Sequence, residues 1–481
     1  MNSKWRFLLK DLGPVEDADL ELGNLTLIAG RNNTGKTYMV YALQGFLQFF
    51  NALGMKTMES WSIRGFFSGA IRLNDSFLAG ELLGAGRVSF KVEKDGLDRD
   101  RASLFQDSAE LYSQTYLDTV LSAPPGTFEK AVFDVEADWG AHKYSSSATW
   151  LIDGVEVSVS YNEDDLSFSL HWIYEKGRKN SQRQLTLVKN GLRRAYIKFL
   201  TQGDDVFGHS LHCTTAARFS VSLLHKDLES KRRSIVQALH QERPIQLKDG
   251  SIWVSAKAIQ GASRYALPIE YEIDFIKNIP ADFPAPPRNV EVSPFSNIVE
   301  MMGGHYTKLE DEIFFNSTDG SPRQFRIPLH LASSSAIELS NIYFYLAMGR
   351  KSDNPILIID EPESHLDPVN QIEFARALAR WTNSGIRVLI ATHSDYIVKE
   401  INNLLMLHSD FEDKEEVVGR LGYTESLDPE TVRAYVARNG GLEECDIDKY
   451  GIDMPYFDYT IDSINAVSNE LTGRLSAEED Q

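Results

Sequence analysis

Only two cysteines, Cys213 and Cys445, stand in 481 residues, and they lie far apart in the chain. That scarcity excludes a disulfide framework and fits a reducing cytoplasm as the expected location. No apolar run approaches the roughly 18–20 residues that a membrane helix needs, so no membrane partner is expected. The opening Met1-Asn-Ser-Lys-Trp-Arg-Phe7 leads into no sustained apolar stretch of the signal-peptide kind. Sustained heptads and repeats of 20–50 residues are missing too, which excludes long coiled-coil arms and solenoids. Positive charge is scarce: 49 basic residues face 69 acidic ones, a net of −20. From Asp410 to Gln481 there are 19 acidic and 6 basic residues, a net of −13, which leaves −7 for the rest. Such a surface does not coat nucleic acid by counterion release, although the less acidic body leaves room for a local basic strip. What remains is an ordinary globular composition, 42% hydrophobic and 25% charged, long enough for one large core and smaller units.

Patterning along the chain points to the α/β class. Trp5–Lys10 is apolar-rich, Ala18, Leu20 and Leu22 alternate with acidic residues, and Leu25–Ala29 is a continuous apolar run suited to a strand buried on both faces. Lys36–Phe50 has helical spacing through Met39, Val40, Leu43, Phe46 and Leu47. Phe128–Tyr174 is strand-like, with a hairpin of Val155–Tyr161 and Leu166–Trp172 about Asn162–Asp165. Gln184–Leu239 turns helical and basic, and a proline-rich loop over Pro280–Pro287 follows. A strand at Arg326–Leu331, a helix at Ser335–Met348, a strand at Pro355–Asp360, a helix at Gln371–Trp381, a strand at Ile386–Ala391 and a helix at Asp395–Leu405 make the alternation of a parallel sheet. In the acidic tail Asp428 as N-cap, Pro429 behind it and Asn439-Gly440-Gly441 as a stop predict one more helix.

Between the buried strand and the first helix, Gly30-Arg-Asn-Asn-Thr-Gly35-Lys36-Thr37 fits G-x-x-x-x-G-K-[ST]. Glycines let backbone N–H groups curl around phosphate oxygens, and the helix N-terminus adds its positive dipole end. Lys36 reaches β and γ phosphates, and the Thr37 hydroxyl is a ligand for Mg²⁺. Gly30, Asn32, Asn33, Thr34, Gly35, Lys36, Thr37 and Tyr38 are the expected nucleotide contacts. The run Ile356–Ile359 ends in Asp360-Glu361, which puts two carboxylates at the C-terminal edge of a parallel strand, where α/β folds bind ligands. Asp360 is expected in the Mg²⁺ shell and Glu361 as the base for the attacking water. His393, after the next apolar strand, is expected at the γ phosphate. Ser333, Ser334 and Ser335 open a helix, either as ordinary N-caps or as a hydroxyl-and-amide anion site.

In order, Gly30–Thr37, Ser333–Ala336, Ile356–Glu361, Leu366-Asp367 and His393 resemble the Walker A, signature, Walker B, D-loop and switch-histidine motifs of ABC-type ATPase heads. Leu12-Gly-Pro-Val-Glu-Asp-Ala-Asp-Leu20 ahead of the first loop is similar to the RecF, SMC and overcoming-lysogenisation-defect (OLD) branch. The arm-free length and the serine-rich signature resemble ATPase subunits of prokaryotic antiviral systems, those of Septu (PtuA) first and PARIS (AriA) second. The resemblance implies an α/β P-loop NTPase of ABC-ATPase type with an antiparallel β subdomain and a helical insertion. It divides the chain into an N-terminal ATPase lobe (1–200), a mainly helical insertion (201–325), a core with signature, Walker B and switch histidine (326–408) and an acidic segment (409–481). It also implies ATP sandwiched between two copies, in a homodimer or higher oligomer of dimers, with the Ser333 segment of one copy facing Lys36 of the other and Asp367 coupling the two sites. The usual signature has two glycines where this chain has Ser334 and Ser335, so an ATP-locked scaffold or sensor is the alternative to a hydrolysing head. A RecF-like repair ATPase is a further one.

OLD proteins carry a TOPRIM nuclease after the switch histidine. Asp446-Ile-Asp448 offers paired aspartates, but with no apolar strand read ahead of it the pair is taken as solvated acid. His209, His212 and Cys213 lack a second ligand pair at zinc-like spacing. No intrinsic nuclease is expected; cleavage would belong to a partner, of HNH type in a Septu-like system or TOPRIM type in a PARIS-like one. The basic stretch 176–233, with Lys176, Arg178, Lys179, Arg183, Arg193 and Arg194, is the candidate nucleic-acid surface, a solvated helix face being the equal alternative.

Overall fold

The computed structural model describes residues 4–56, 85, 87–92, 94–138, 147–152, 155–162, 165–172, 212–215, 245–246, 252–253, 266–280, 283, 296–309, 312–317, 325–347, 355–454 and 463–472. The strands, in chain order, are β1 (Lys4–Leu12), β2 (Val15–Leu22), β3 (Leu25–Gly30), β4 (Arg87–Val92), β5 (Val132–Asp138), β6 (Ser147–Ile152), β7 (Val155–Asn162), β8 (Asp165–Trp172), β9 (His212–Thr215), β10 (Ile245–Gln246), β11 (Ile252–Trp253), β12 (Gly304–Leu309), β13 (Glu312–Ser317), β14 (Arg326–Pro328), β15 (Ile356–Asp360), β16 (Arg387–Thr392), β17 (Val432–Arg438), β18 (Gly441–Glu444), β19 (Ile447–Asp448) and β20 (Gly451–Ile452).

Nine of them form one mixed sheet in the order β5-β1-β2-β18-β17-β3-β16-β15-β9. The stretch from β17 to β9 is parallel throughout, whereas β5, β1 and β2 are an antiparallel meander at the other end. β3 and β15 read as unbroken apolar runs because every one of their residues is buried. β1 and β2 alternate instead, with Trp5, Phe7 and Leu9 turned inward and Arg6 and Lys10 outward. The hairpin expected from Val155–Tyr161 and Leu166–Trp172 forms as β7 and β8 within a separate antiparallel sheet, β4-β8-β7-β6.

Two cores flank the large sheet. On the antiparallel side Trp5, Phe7, Phe46, Phe50, Phe105, Tyr112 and Phe133 pack edge-to-face and stacked between the Lys36–Lys56 and Lys94–Thr115 helices. On the parallel side the Ser334–Ala347, Pro368–Asn383 and Asp395–Met406 helices bury Leu339, Ile342, Phe374, Leu378, Trp381, Ile397 and Ile401. The helices expected over 335–348, 371–381 and 395–405 are therefore present, the first described as Ser334–Ala347 and the other two with slightly wider bounds.

Three expectations are corrected. Asp428 caps only the short 3-10 turn Pro429–Thr431; the residues that follow are the strands β17 and β18, joined by a tight turn at Asn439-Gly440. Both turn residues have positive φ (50° and 76°), the requirement of the hairpin turn that Asn-Gly favours. β17 is drawn into the sheet because Val432, Ala434 and Ala437 are buried beside β3, so the acidic segment supplies the strand next to the phosphate-loop strand and, beyond it, β18. His212–Thr215, inside the stretch read as helical, is the edge strand β9 beside β15; the rest of 184–239, with the basic residues, lies outside the described residues. Arg326–Leu331 is a strand only to Pro328, and Leu329–Leu331 turn as a 3-10 helix. The segment 201–325 contributes, among its described residues, the Leu267–Lys277 and Ser296–Met302 helices and five strands, of which β13 pairs with β12 on one side and β14 on the other.

Candidate functional site

Because β3, β16 and β15 are adjacent and parallel, their C-terminal ends deliver three loops to one edge. Register pairs Ala29 with Thr392 and Ala391 with Asp360. Gly30–Thr37, His393 and Asp360-Glu361 thus converge from three sequence regions more than 350 residues apart at their extremes.

The loop after β3 is shaped by residues that bear positive φ: Gly30 (146°), Asn33 (65°) and Gly35 (92°). A Cβ on Gly30 would stand 2.6 Å from the Ala437 carbonyl of β17, and one on Gly35 would stand 2.5 Å from Val15. Both glycines are therefore held by neighbours in the sheet as well as by backbone conformation. The Thr34 hydroxyl donates to the Arg31 carbonyl at 2.8 Å. Arg31, Asn32 and Asn33 are exposed. Lys36, buried, folds back to donate to the Gly30 and Arg31 carbonyls, both at 2.8 Å. Burial lowers its pKa, and the nearby carboxylates of Glu361, Asp360 and Glu363 work in the opposite direction. Tyr38 is partly exposed with its ring edge-on to Phe128.

Asp360 is buried at the end of β15, and burial pushes its carboxyl up to about 6. The Thr37 hydroxyl hydrogen-bonds its side chain, while Oδ1 has no partner among the described residues. A buried, desolvated carboxylate oxygen without a donor, beside a hydroxyl and a lysine, suits a hard divalent cation with oxygen ligands. The residues present therefore fit Mg²⁺ at Asp360 and Thr37. Glu361 takes a left-handed backbone (φ 51°, ψ 56°), anchored by its N–H to the Ala391 carbonyl at 2.7 Å. Such a conformation in a non-glycine residue costs about 1–3 kcal/mol and is stored where a side chain must be aimed.

His393 is not alone at the end of β16. Its Nδ1 lies 3.0 Å from Glu363 Oε1, which also accepts the His393 N–H at 2.7 Å. Glu363, two residues beyond Glu361, was not singled out from the sequence; its partners lie thirty residues away and no local pattern marks it. Gln371, also missed, accepts from the Ser394 hydroxyl at 2.6 Å and donates to the Leu366 carbonyl at 2.8 Å.

Asp367 spends its carboxylate on its own helix. It accepts from the Val369 and Asn370 N–H groups at 3.0 and 3.2 Å and from the Asn370 amide at 2.6 Å, and these hydrogen bonds hold its pKa below the usual range. Ser333 is the N-cap of the Ser334–Ala347 helix, its hydroxyl accepting from Ala336 N–H at 3.2 Å; Ser333 and Ser334 are exposed. The Tyr306 hydroxyl, from β12, donates to the Ala336 carbonyl and pins the first turn of that helix. Asp446 and Asp448 are exposed, as expected of solvated acids, although the strands β17 and β18 do precede them. Among the described residues no group of three or more His, Cys, Asp or Glu side chains is arranged to hold a metal ion, and no helix is long and apolar enough to cross a membrane.

Residues 279–399 match the family model described as "AAA domain, putative AbiEii toxin, Type IV TA system", about a quarter of the chain. That span holds the serine cluster, Asp360-Glu361, Asp367 and His393 but not the glycine-rich loop. No curated protein matches the sequence. Among solved structures the chain is similar to an SMC head domain with an extended coiled coil bound to the C-terminal domain of ScpA, from Pyrococcus furiosus. Identity there is 11% over 96% of this chain and 98% of that chain, with a TM-score of 0.32. The SMC head domain from Thermotoga maritima matches at 12% identity over 93% and 100%, with a TM-score of 0.29. These likenesses are slight, and the fold rests on strand order: a phosphate-loop strand, an intervening strand ending in His393 and an acidic strand, side by side and parallel, with an antiparallel meander beyond. The chain has a mixed α/β fold consistent with that of an ABC-type P-loop ATPase.

Proposed function

We propose that this chain binds and hydrolyses ATP, working as the ATPase subunit of a prokaryotic antiphage complex in which paired copies control an effector nuclease. The observation that carries the reading is the convergence of Lys36, Asp360-Glu361 and His393 at one sheet edge. Backbone amides of 30–36 cradle the triphosphate, and Lys36 moves from the Gly30 and Arg31 carbonyls to the β and γ oxygens. Asp360 and Thr37 would hold Mg²⁺, which would supply charge neutralisation at the phosphate oxygens. Glu361, aimed by its left-handed backbone, orients the attacking water and takes its proton. His393 contacts the γ phosphate, and Asn32, Asn33, Thr34 and Tyr38 border the nucleotide. The Ser333–Ser335 turn, with Ser333 and Ser334 exposed, is presented for the site of a second copy, a use compatible with the capping role of Ser333. With Asp367 capping its own helix, coupling between sites would run through the position of that helix rather than through a free carboxylate.

The defence role is supported by the motif resemblance to Septu and PARIS ATPases and by the toxin–antitoxin system in the name of the matched family model. The partner would be an HNH nuclease in the Septu-like case and a TOPRIM nuclease in the PARIS-like case. Nucleic-acid contact through 176–233 belongs to the same reading. A second reading, an ATP-locked scaffold with little turnover, is favoured by the serine side chains that crowd the signature turn, where Ser333 and Ser335 hydroxyls lie 3.3 Å apart. Phosphate release by the wild-type protein and by Glu361→Gln separates the two. Turnover that the substitution abolishes, with ATP retained, supports hydrolysis; stoichiometric bound ATP with negligible release from both proteins supports the scaffold.

A further inference from the structure

Glu363 is a buried carboxylate whose side-chain hydrogen-bond and ion-pair partners, Thr392 and His393, are adjacent in the chain. Oε2 accepts the Thr392 hydroxyl at 2.8 Å, and Oε1 accepts the His393 backbone N–H at 2.7 Å and faces His393 Nδ1 at 3.0 Å. Thr392 in turn accepts the Ser394 N–H at 3.0 Å, so its hydroxyl proton is committed to Glu363. An ionised carboxylate only accepts, and a bare Nδ1 lone pair held against it would be repelled. A neutral imidazole that carries its proton on Nδ1 avoids that repulsion.

We propose that Glu363 is a positioning residue that fixes His393 as the Nδ1–H tautomer and presents Nε2 to the nucleotide. The second half rests on the reading of the site as an ATP site; the first half does not. Consequences follow for how His393 works. In the neutral ring Nε2 is an acceptor, so it takes a hydrogen bond from the attacking water or another donor. It donates to a phosphate oxygen only when both nitrogens carry protons. A carboxylate behind a histidine selects its tautomer in hydrolytic triads by the same physics, and here it also ties the end of β16 to the turn that carries Glu361. That tie makes the aim of His393 and the aim of Glu361 one geometric unit.

The test has two arms on the full chain. Long-range ¹H–¹⁵N correlation spectra of histidine-labelled protein, with His393 assigned through His393→Gln, report the tautomer directly. The expected result is Nδ1–H in the wild type and a mixture in Glu363→Gln, with the thermal unfolding midpoint recorded to confirm that the variant is folded. An Nε2–H tautomer in the wild type overturns the proposal whether or not the protein hydrolyses ATP. In the second arm Glu363→Gln lowers kcat about tenfold to hundredfold with KM for ATP within about twofold, and has no further effect in a His393→Ala background. An equal additional loss in that background means that Glu363 does not act through His393. Absence of turnover in the wild type removes the ATPase reading, and the spectra then decide the tautomer alone.

Discussion

Replacing Asp360 by asparagine should stabilise the chain in the absence of nucleotide and metal, and should remove its response to both. Burial raises the folded-state pKa of this carboxyl from 3.8 to about 6, with the Thr37 hydrogen bond and the Lys36 charge offsetting part of the effect. The native state therefore binds the proton more tightly than the unfolded chain. The associated stability is fully present below pH 3.8, is lost as pH rises through about 6, and is absent above. A gap of about two units corresponds to about 3 kcal/mol of penalty at pH 8, with about half of it relieved at pH 5. Asparagine keeps the size and an acceptor for Thr37 while removing the buried charge. Urea unfolding at pH 8 without ligand should then show the variant more stable than the wild type by about 1–3 kcal/mol, and the difference should shrink at pH 5. Mg²⁺ with a non-hydrolysable ATP analogue at about 100 times its Kd should stabilise the wild type by about 2.7 kcal/mol and the variant by much less. An asparagine variant that is less stable at pH 8, with no pH-dependent narrowing, would refute the reasoning.

Other outcomes follow from the same geometry. Gly30→Ala places a Cβ against the Ala437 carbonyl at a φ that alanine rarely adopts, so it should lower stability by about 1–3 kcal/mol and weaken ATP binding, read by calorimetric titration. Phe46→Ala opens the aromatic core between Phe7, Tyr112 and Phe133 and should cost about 3–5 kcal/mol in denaturant unfolding. Asp367→Asn should keep the helix cap and the thermal midpoint, whereas Asp367→Ala should lower the midpoint; equal midpoints for the two would show that the cap is not what this side chain supplies.

The legible parts of this chain are those whose chemistry is local. β3 and β15 announce themselves as unbroken apolar runs, and the Gly30–Thr37 loop is a complete string because each of its residues serves a phosphate cradle directly. The hairpin of β17 and β18 was misread because Asp428-Pro429 and Asn439-Gly440-Gly441 are stop and start signals for more than one element. Asp428 does cap a turn and Asn439-Gly440 does end an element. The choice of strand came from β3, which offers Val432 and Ala434 a buried edge some 400 residues earlier in the sequence. Glu363 was passed over for the same reason: a glutamate in a turn is ordinarily solvated, and only the folded sheet brings Thr392 and His393 onto it. Asp367 carries two signals at once: its motif position suggests work across an interface between copies, and within the single chain it caps its own helix.

The most direct test of the account is a crystal structure grown with Mg²⁺ and a non-cleavable ATP analogue. Lys36 Nζ should have exchanged the Gly30 and Arg31 carbonyls for the β and γ phosphate oxygens, with Asp360 and Thr37 at the metal and Glu361 beside the γ phosphate. Nucleotide bound elsewhere, or Lys36 still closed on its own loop with analogue present, would contradict the claim that these three strand ends form one ATP site.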